Sequence, residues 1–281
     1  MRTNALDVLL IVLVCLIWAG NYYVVQGVLA YVDPFTFALL RAVLGGVFIF
    51  AIGGYVIRGI TKRDLRWLLA MGLLNISLFL ILLNLSLLSV KPGVDSTLIY
   101  TQPVFVAALS PLVGDTLTRN RKIGIAAAFG GIIVIFLPSI VASRFVVGDV
   151  YALAGALSWA TAVALFKRWQ PTISVIGITS LQSLIGGVFI VPSLLFEKPF
   201  LDPVLDFWLY LGYNVILASG LAMVMYWRVL SHMSAAQFTS YFFLVPVFAT
   251  IMGSIFQLSI PPVNELAGTV LVALGIVAVN R

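Results

Sequence analysis

Along this chain, long apolar runs alternate with short polar interruptions, and the run length is that of a membrane-crossing helix. A helix rises about 1.5 Å per residue, so roughly 20 mostly apolar residues cross a hydrocarbon core about 30 Å thick. Ten such runs fit, near residues 6–27, 35–57, 66–89, 94–115, 122–140, 149–167, 173–195, 207–229, 235–257 and 264–280. Most gaps carry Pro, Gly or charge: Asp33-Pro34, Lys91-Pro92-Gly93, Gly148-Asp149, Gln170-Pro171, Lys198-Pro199 and Pro261-Pro262 are turn or helix-start signals. No stretch is left over for a soluble domain. The first run is long enough to span and has no small-residue cleavage site behind a short core, so it is expected to be retained as a helix.

Charge then orients the runs, because Lys and Arg resist translocation and stay on the cytoplasmic side. With the N-terminus inside, the inner face receives 12 of them: Arg2, Arg58, Lys62, Arg63, Arg66, Arg119, Arg121, Lys122, Lys167, Arg168, Arg228 and Arg281. The outer face receives 3, Lys91, Arg144 and Lys198, with Arg41 lying inside a run and set aside. Both termini are therefore expected in the cytoplasm, on a multi-pass protein of a plasma (inner) membrane.

The two halves also resemble each other. "LRAVLGGVFIF" from Leu40 aligns with "LQSLIGGVFIV" from Leu181 at an offset of 141, which places Trp18 on Trp159 and Arg41 on Gln182. "PVFVA" from Pro103 matches "PVFAT" from Pro246 at an offset of 143, and Gly124 matches Gly268 at 144. A slowly drifting offset is what small loop insertions between duplicated halves produce. Because each unit holds an odd number of spans, the second copy must enter from the opposite side. The expected fold is thus all-α and integral to the membrane, with ten helices as two inverted five-helix repeats, residues 1–140 and 141–281. Secondary transporters are built this way, with the substrate site near the midplane at the repeat interface.

Composition agrees: 62% of residues are hydrophobic and 9% charged, against about 25% charged in soluble domains. The net charge of +6 raises the question of nucleic acid, but the basic residues sit in short clusters between apolar runs, where a bilayer accounts for them. The expected partners are a lipid bilayer and a small-molecule substrate, with no nucleic acid, in a monomer or homodimer. The lone Cys15 cannot form an internal disulfide.

Polar groups deep in hydrocarbon are expensive, so they mark interhelical hydrogen bonds or a water-lined path. In the first run Trp18, Asn21, Tyr22 and Val25 share one helical face. Such a face can stack on and hydrogen-bond an organic solute, and Asn21 can equally serve to bridge to a neighbouring helix. In the fourth run Pro103 removes a backbone donor and obstructs the carbonyl of Ile99, on the face that also carries Tyr100, predicting a bend. Pro246 repeats the device in the ninth run. Paired bends can act as gates or line a cavity; they are also compatible with plain packing kinks. In the third run Asn84 shares a face with Ser77 while Asn75 points away, which favours Asn84 for a cavity. Trp159 and Gln182, with Asn214, Ser219, Tyr226 and Trp227, are the second-half positions to test. Gln102 and Tyr241, in the two proline-bearing motifs, complete the candidate substrate-binding set. Gly130-Gly131, Gly268 and Gly275 look like close-packing positions.

Arg41 is the odd residue, one guanidinium in the apolar stretch "FALLRAVLGGVFIF". It stands about seven residues past Asp33-Pro34, only roughly 10 Å below the outer end of its helix. Snorkelling to the interface, or pairing with Asp33 or carbonyl ends, accounts for it. The other reading is an electropositive point in a cavity, attracting a carboxylate or phosphate on the solute.

These motifs together resemble the drug/metabolite transporter superfamily, specifically its ten-helix EamA-type permeases. The resemblance covers essentially the whole chain and rests on "LIWAGNYY", "LLRAVLGG", "YTQPVFVAALSPLVGDTLTRNRKIG" and "YFFLVPVFATIMGSIF". Such permeases typically carry Gly-Glu at the ends of helices four and nine. Here the first is Gly114-Asp115, and around Gln257 the second reads "IFQLSIPP", with no acid. The resemblance implies a transporter, often an exporter, of amino acids, nucleosides or similar small metabolites. With the inverted repeat, the expectation becomes an exporter or exchanger working by alternating access around a central cavity. A channel-like facilitator or a non-transporting scaffold is the alternative.

Absent chemistry narrows the field. No His-Glu-x-x-His ligand set and no phosphate-binding Gly-x-x-x-x-Gly-Lys-Ser/Thr loop occurs, and the spans contain no buried His or Lys to serve a nucleophile, so no enzyme, metal or cofactor is expected. Every Asp and Glu falls near a span end, Asp95 among them, and the single His232 falls in a short inner loop. A carboxylate proton relay at the midplane is therefore not expected; facilitated diffusion, exchange or coupling through the substrate's own charge fits better.

Overall fold

The computed structural model describes residues 5–54, 60–114, 117–142, 146–169, 173–256 and 263–280. Gln170-Pro171, Pro261-Pro262, Asp115, Gln257, Arg2, Arg58, Arg144 and Arg281 lie outside the described residues. Among those described, regular structure is helical, and the bridge between Val32 and Leu201 stands in isolation. In chain order the helices are α1 (Ala5–Val28), α2 (Pro34–Gly53), α3 (Lys62–Leu87), α4 (Pro92–Val113), α5 (Arg119–Ala142), α6 (Val147–Trp169), α7 (Val175–Leu195), α8 (Leu205–His232), α9 (Ala235–Gly253) and α10 (Val263–Asn280). Eight of them, all but α5 and α10, are long and apolar enough to cross a membrane over their described length.

The punctuation sets the helix starts. Asp33 caps α2, its carboxylate accepting from Phe35 N and Thr36 N, with Pro34 filling the first position where no amide is needed. Thr61 and Asp64 form a capping box, which starts α3 at Lys62, four residues ahead of the apolar run.

The two prolines interrupt their helices at corresponding places. α4 loses helical geometry at Tyr100, whose ψ is 18°, and resumes at Gln102. α9 tightens into a 3₁₀ turn over Tyr241–Phe243 before continuing from Leu244. Pro103 and Pro246 each lie three residues beyond these points, where the missing N–H and the ring disturb the preceding turn. Two further departures, π-helical stretches at Gly72–Leu78 in α3 and Tyr213–Leu221 in α8, also sit in matching helices of the two halves.

Small residues decide which helices approach. A Cβ added at Gly124 of α5 would lie 2.7 Å from the Gly275 carbonyl oxygen of α10, and one at Gly131 would lie 2.6 Å from that of Gly268. At the sequence offset of 144, Gly124 corresponds to Gly268 and Gly131 to Gly275, so each contact is the counterpart of the other. α2 and α7 repeat the pattern: Gly46 meets Leu184, and Gly187 meets Val43, again exchanging partners at the offset of 141.

Two corners tie the halves together. At one, Asp202 N donates to Tyr31 O at 2.7 Å, Asp33 N to Phe200 O at 3.1 Å, and Phe200 N to Asp33 Oδ2 at 2.8 Å. At the other, Trp169 Nε1 donates to Asp64 Oδ1 at 2.9 Å, and Arg63 Nη2 reaches Trp169 O at 3.4 Å.

Candidate functional site

Between these corners, α1, α2, α3, α4, α6 and α8 enclose a cavity. α1 contributes Trp18, Asn21 and Tyr22 from one face; α2 gives Arg41, α3 Phe79 and Leu83, α4 Tyr100, α6 Trp159 and α8 Met223. The space open to the centre of a water molecule is about 20 Å³, little more than the roughly 10–15 Å³ that one water needs on that measure. At that size the site admits an organic solute only when the side chains or helices that line it move apart.

Its walls are aromatic. Trp18 meets Trp159, its counterpart at the offset of 141, edge to face with ring centroids 5.3 Å apart. Phe79 lies 5.3 Å and Tyr100 5.9 Å from Trp159, and Tyr22 lies 6.2 Å from Tyr100. Both indole N–H groups are committed: Trp18 Nε1 donates to Ala218 O at 3.1 Å, within the π-helical stretch of α8, and Trp159 Nε1 to Tyr226 OH at 3.1 Å. With those bonds made, the rings are fixed in orientation and offer their faces and edges to a neighbour.

Arg41 is 3% exposed, and among the described lining residues it is the only charge. It neither snorkels to the interface nor pairs with Asp33, whose oxygens serve the α2 cap and Phe200 N. Instead its Nε donates to Ser219 Oγ at 2.7 Å, while Nη1 has no partner. The reason is close packing one turn on: Gly45 lets Ser219 come near, since an added Cβ there would lie 3.2 Å from Ser219 Cβ. On the same cavity Asn21 Oδ1 is buried without a donor. An orphaned cationic donor and an orphaned acceptor therefore face one aromatic space, where unmet hydrogen-bonding capacity is costly.

The other expected residues lie elsewhere. Asn84, favoured for the cavity, turns its Nδ2 to Pro34 O at 2.8 Å and braces α3 against the start of α2. Gln182 accepts from Asn75 Nδ2 at 3.4 Å, so α7 reaches α3 in the position equivalent to Arg41 and Ser219 between α2 and α8. Gln102 is fully buried just past the α4 break, with both amide atoms unpartnered, and does not line the cavity. Tyr241 stays half-buried in the α9 turn, its carbonyl accepting from Cys15 Sγ. Phe79, Leu83 and Met223 were not anticipated, since an apolar residue in an apolar helix carries no signal of its own.

A multi-pass helical protein enclosing such a site is of the membrane transporter class. The profile of the EamA-like transporter family matches residues 6–137 and, again, residues 146–281, and the chain belongs to that family. It is 28% identical to "Uncharacterized transporter YvbV" of Bacillus subtilis (strain 168), over 97% of this chain and 90% of that protein. It is 25% identical to "Uncharacterized inner membrane transporter YedA" of Escherichia coli (strain K12), over 85% of this chain and 79% of the relative. "Protein PecM" of Dickeya dadantii (strain 3937) is 28% identical over 85% and 80%. A solved crystal structure superposes with a TM-score of 0.78 over 98% of this chain and 96% of its own, at 18% identity, and so shares the fold.

Proposed function

We propose that this protein is a secondary transporter, an exporter or exchanger, of small zwitterionic organic solutes such as amino acids across the plasma membrane, with both termini cytoplasmic. The observation that carries the reading is the pair of orphaned groups in the cavity. Arg41 Nη1 suits a carboxylate, which it can bind by charge and hydrogen bond together. Asn21 Oδ1, among ring faces that attract cations, suits an ammonium. The aromatic walls suit an apolar side chain.

Alternating access is the mechanism we assign, with residues 1–140 and 141–281 as inverted five-helix repeats and all ten helices crossing the membrane. It is supported by partner-exchanging contacts at Gly124, Gly131, Gly46 and Gly187, by the duplicated family match, and by a cavity too small for a solute unless one side opens. Closure at about 20 Å³ also speaks against a standing pore.

The test is depletion of solutes from a complete metabolite mixture by proteoliposomes, comparing wild type with Arg41→Gln, the side chain found at its repeat counterpart. Wild type should show saturable uptake with trans-stimulation of a zwitterion. R41Q should lose at least about tenfold for carboxylate-bearing solutes, the factor for about 1.4 kcal/mol of one charged hydrogen bond. Equal losses for all solutes with reduced folded yield would make Arg41 structural, and ohmic conductance would make the protein a channel.

A further inference from the structure

The first turn of α4 holds a carboxyl that sequence position alone assigned to a membrane boundary. Asp95 is three residues past Pro92, yet it is completely buried, and neither side-chain oxygen has a hydrogen-bond partner. Nearby hydroxyls are committed elsewhere: Ser86 of α3 donates to Leu83 O at 2.9 Å, and Ser96 and Thr97 both donate to Gly93 O.

Among the described residues, the charged and titratable groups around it offer no counter-ion. α6 presents Asp149, a like charge whose Oδ2 accepts from Val146 N. α1 presents Tyr22, a wall of the cavity that lies within electrostatic reach of Asp95. α3 presents only the Ser86 hydroxyl, and α9 has no charged residue between Ala235 and Gly253. Arg119, Arg121 and Lys122 of α5 sit in its first turns, at the opposite end of the bundle, and Lys91 is exposed to the outside of its own helix start. An ionised carboxylate in such a place, buried beside the like charge of Asp149 and with no cation among the described residues, is far costlier than the neutral acid.

Water is kept out by packing at this corner. Gly148, at the start of α6, sits so close to α3 that an added Cβ would run into the Ser89 side chain and come within 2.7 Å of Val90 Cγ2 and 3.0 Å of Ser86 O. Parting of the start of α6 from the α3–α4 turn would let solvent reach Asp95.

We infer that Asp95 is the proton-binding group of the carrier. In the closed arrangement it is the carboxylic acid; when the corner opens, its O–H bond ionises, the proton passes to water on that face, and the carboxylate is hydrated until reclosure takes a proton back. Opening of that corner and loss of the proton are then linked through one helix displacement, with Tyr22 joining the proton group to the cavity; because the proton leaves to and returns from the same face, opening depends on the pH of that face and no net proton crosses the membrane. This inference rests on the carrier reading above and places the proton group at the outer end of α4, away from the midplane, where no carboxylate relay is expected. Asp95 looks peripheral in sequence, and tertiary packing is what buries it.

The experiment has two arms on full-length protein in liposomes. Infrared spectra of wild type should contain the stretch of a protonated carboxyl at neutral pH; Asp95→Asn should remove that band, and Asp95→Glu should keep one. In the second arm, flux of the solute found by depletion is measured at two pH values on the outer face, the inner pH held constant. The ratio of flux at the higher to that at the lower pH should exceed one in wild type and in D95E and fall to one in D95N. A spectrum unchanged by D95N overturns the proton site, and a ratio unaffected by D95N overturns the coupling. Wild-type protein that moves no solute from the mixture sinks the carrier reading and the coupling with it, while the infrared arm alone still decides whether Asp95 holds a proton.

Discussion

The two corners that tie the halves together use the same chemistry unequally. At each, an aspartate near a helix start accepts from a group in the other half: Asp33 from the backbone of Phe200, Asp64 from the indole of Trp169. The Asp33 corner adds backbone bonds in both directions, which together make the bridge of Val32 with Leu201. Among the described residues the Asp64 corner adds a 3.4 Å contact from Arg63, and beside it lies an open recess of about 530 Å³ lined by residues that include Lys167, Ser174 and Ser231. A corner held by several backbone bonds opens only by breaking them together, whereas one held by two side-chain donors, one of them long, parts more readily. On the alternating-access reading, the Asp64 side is the one nearer to opening.

The largest effect in this comparison is expected for Asp33→Ala. It removes the α2 cap and the acceptor for Phe200 N at once, a loss of about 2 kcal/mol. A thermal-shift measurement in detergent should show the drop, and a cysteine placed at Val32 should gain reactivity. Asp33→Asn, nearly as good a cap, should recover most of the loss. An alanine variant as stable as wild type would mean the Asp33 corner is not the stronger latch.

Much of this was readable beforehand, for identifiable reasons. Helices and their starts follow from apolar run length and from Pro, Asp and Thr at fixed positions, which act locally. The α1 face of Trp18, Asn21 and Tyr22 was legible because helical periodicity groups residues that share one direction. Periodicity does not say what lies opposite that direction, which is why Asn84 met Pro34 O rather than the cavity. Arg41 looked like an interface residue by depth alone, and only the approach permitted by Gly45 brings Ser219 to hold it inside. Asp95 failed in the same way, since burial at a helix start depends on what packs across it.

A smaller effect is expected at the other corner. Trp169→Phe keeps one aromatic ring but removes the donor to Asp64 together with part of a buried indole, costing about 1 kcal/mol for the hydrogen bond besides the lost packing, and it should shift the transporter toward opening on that side. The measurement is labelling of a cysteine introduced at Ser174, in the adjoining recess, which should rise in W169F and stay low in D33A. If both variants raise labelling there, the corners are not opposed and a rocking motion between them is excluded.

The smallest effect is expected for Tyr31→Phe, and it separates backbone from side-chain contributions at the stronger corner. Tyr31 OH donates to Asp206 Oδ2 at 3.4 Å in an exposed setting, whereas the Tyr31 carbonyl accepts from Asp202 N at 2.7 Å. An exposed, long hydrogen bond competes with water and contributes little, so Y31F should change stability by less than about 0.5 kcal/mol and leave the reactivity of a Val32 cysteine unaltered. A loss comparable to that of D33A would place the strength of this corner in its side chains, and the distinction drawn between the two corners would then rest on their number of bonds rather than on their kind.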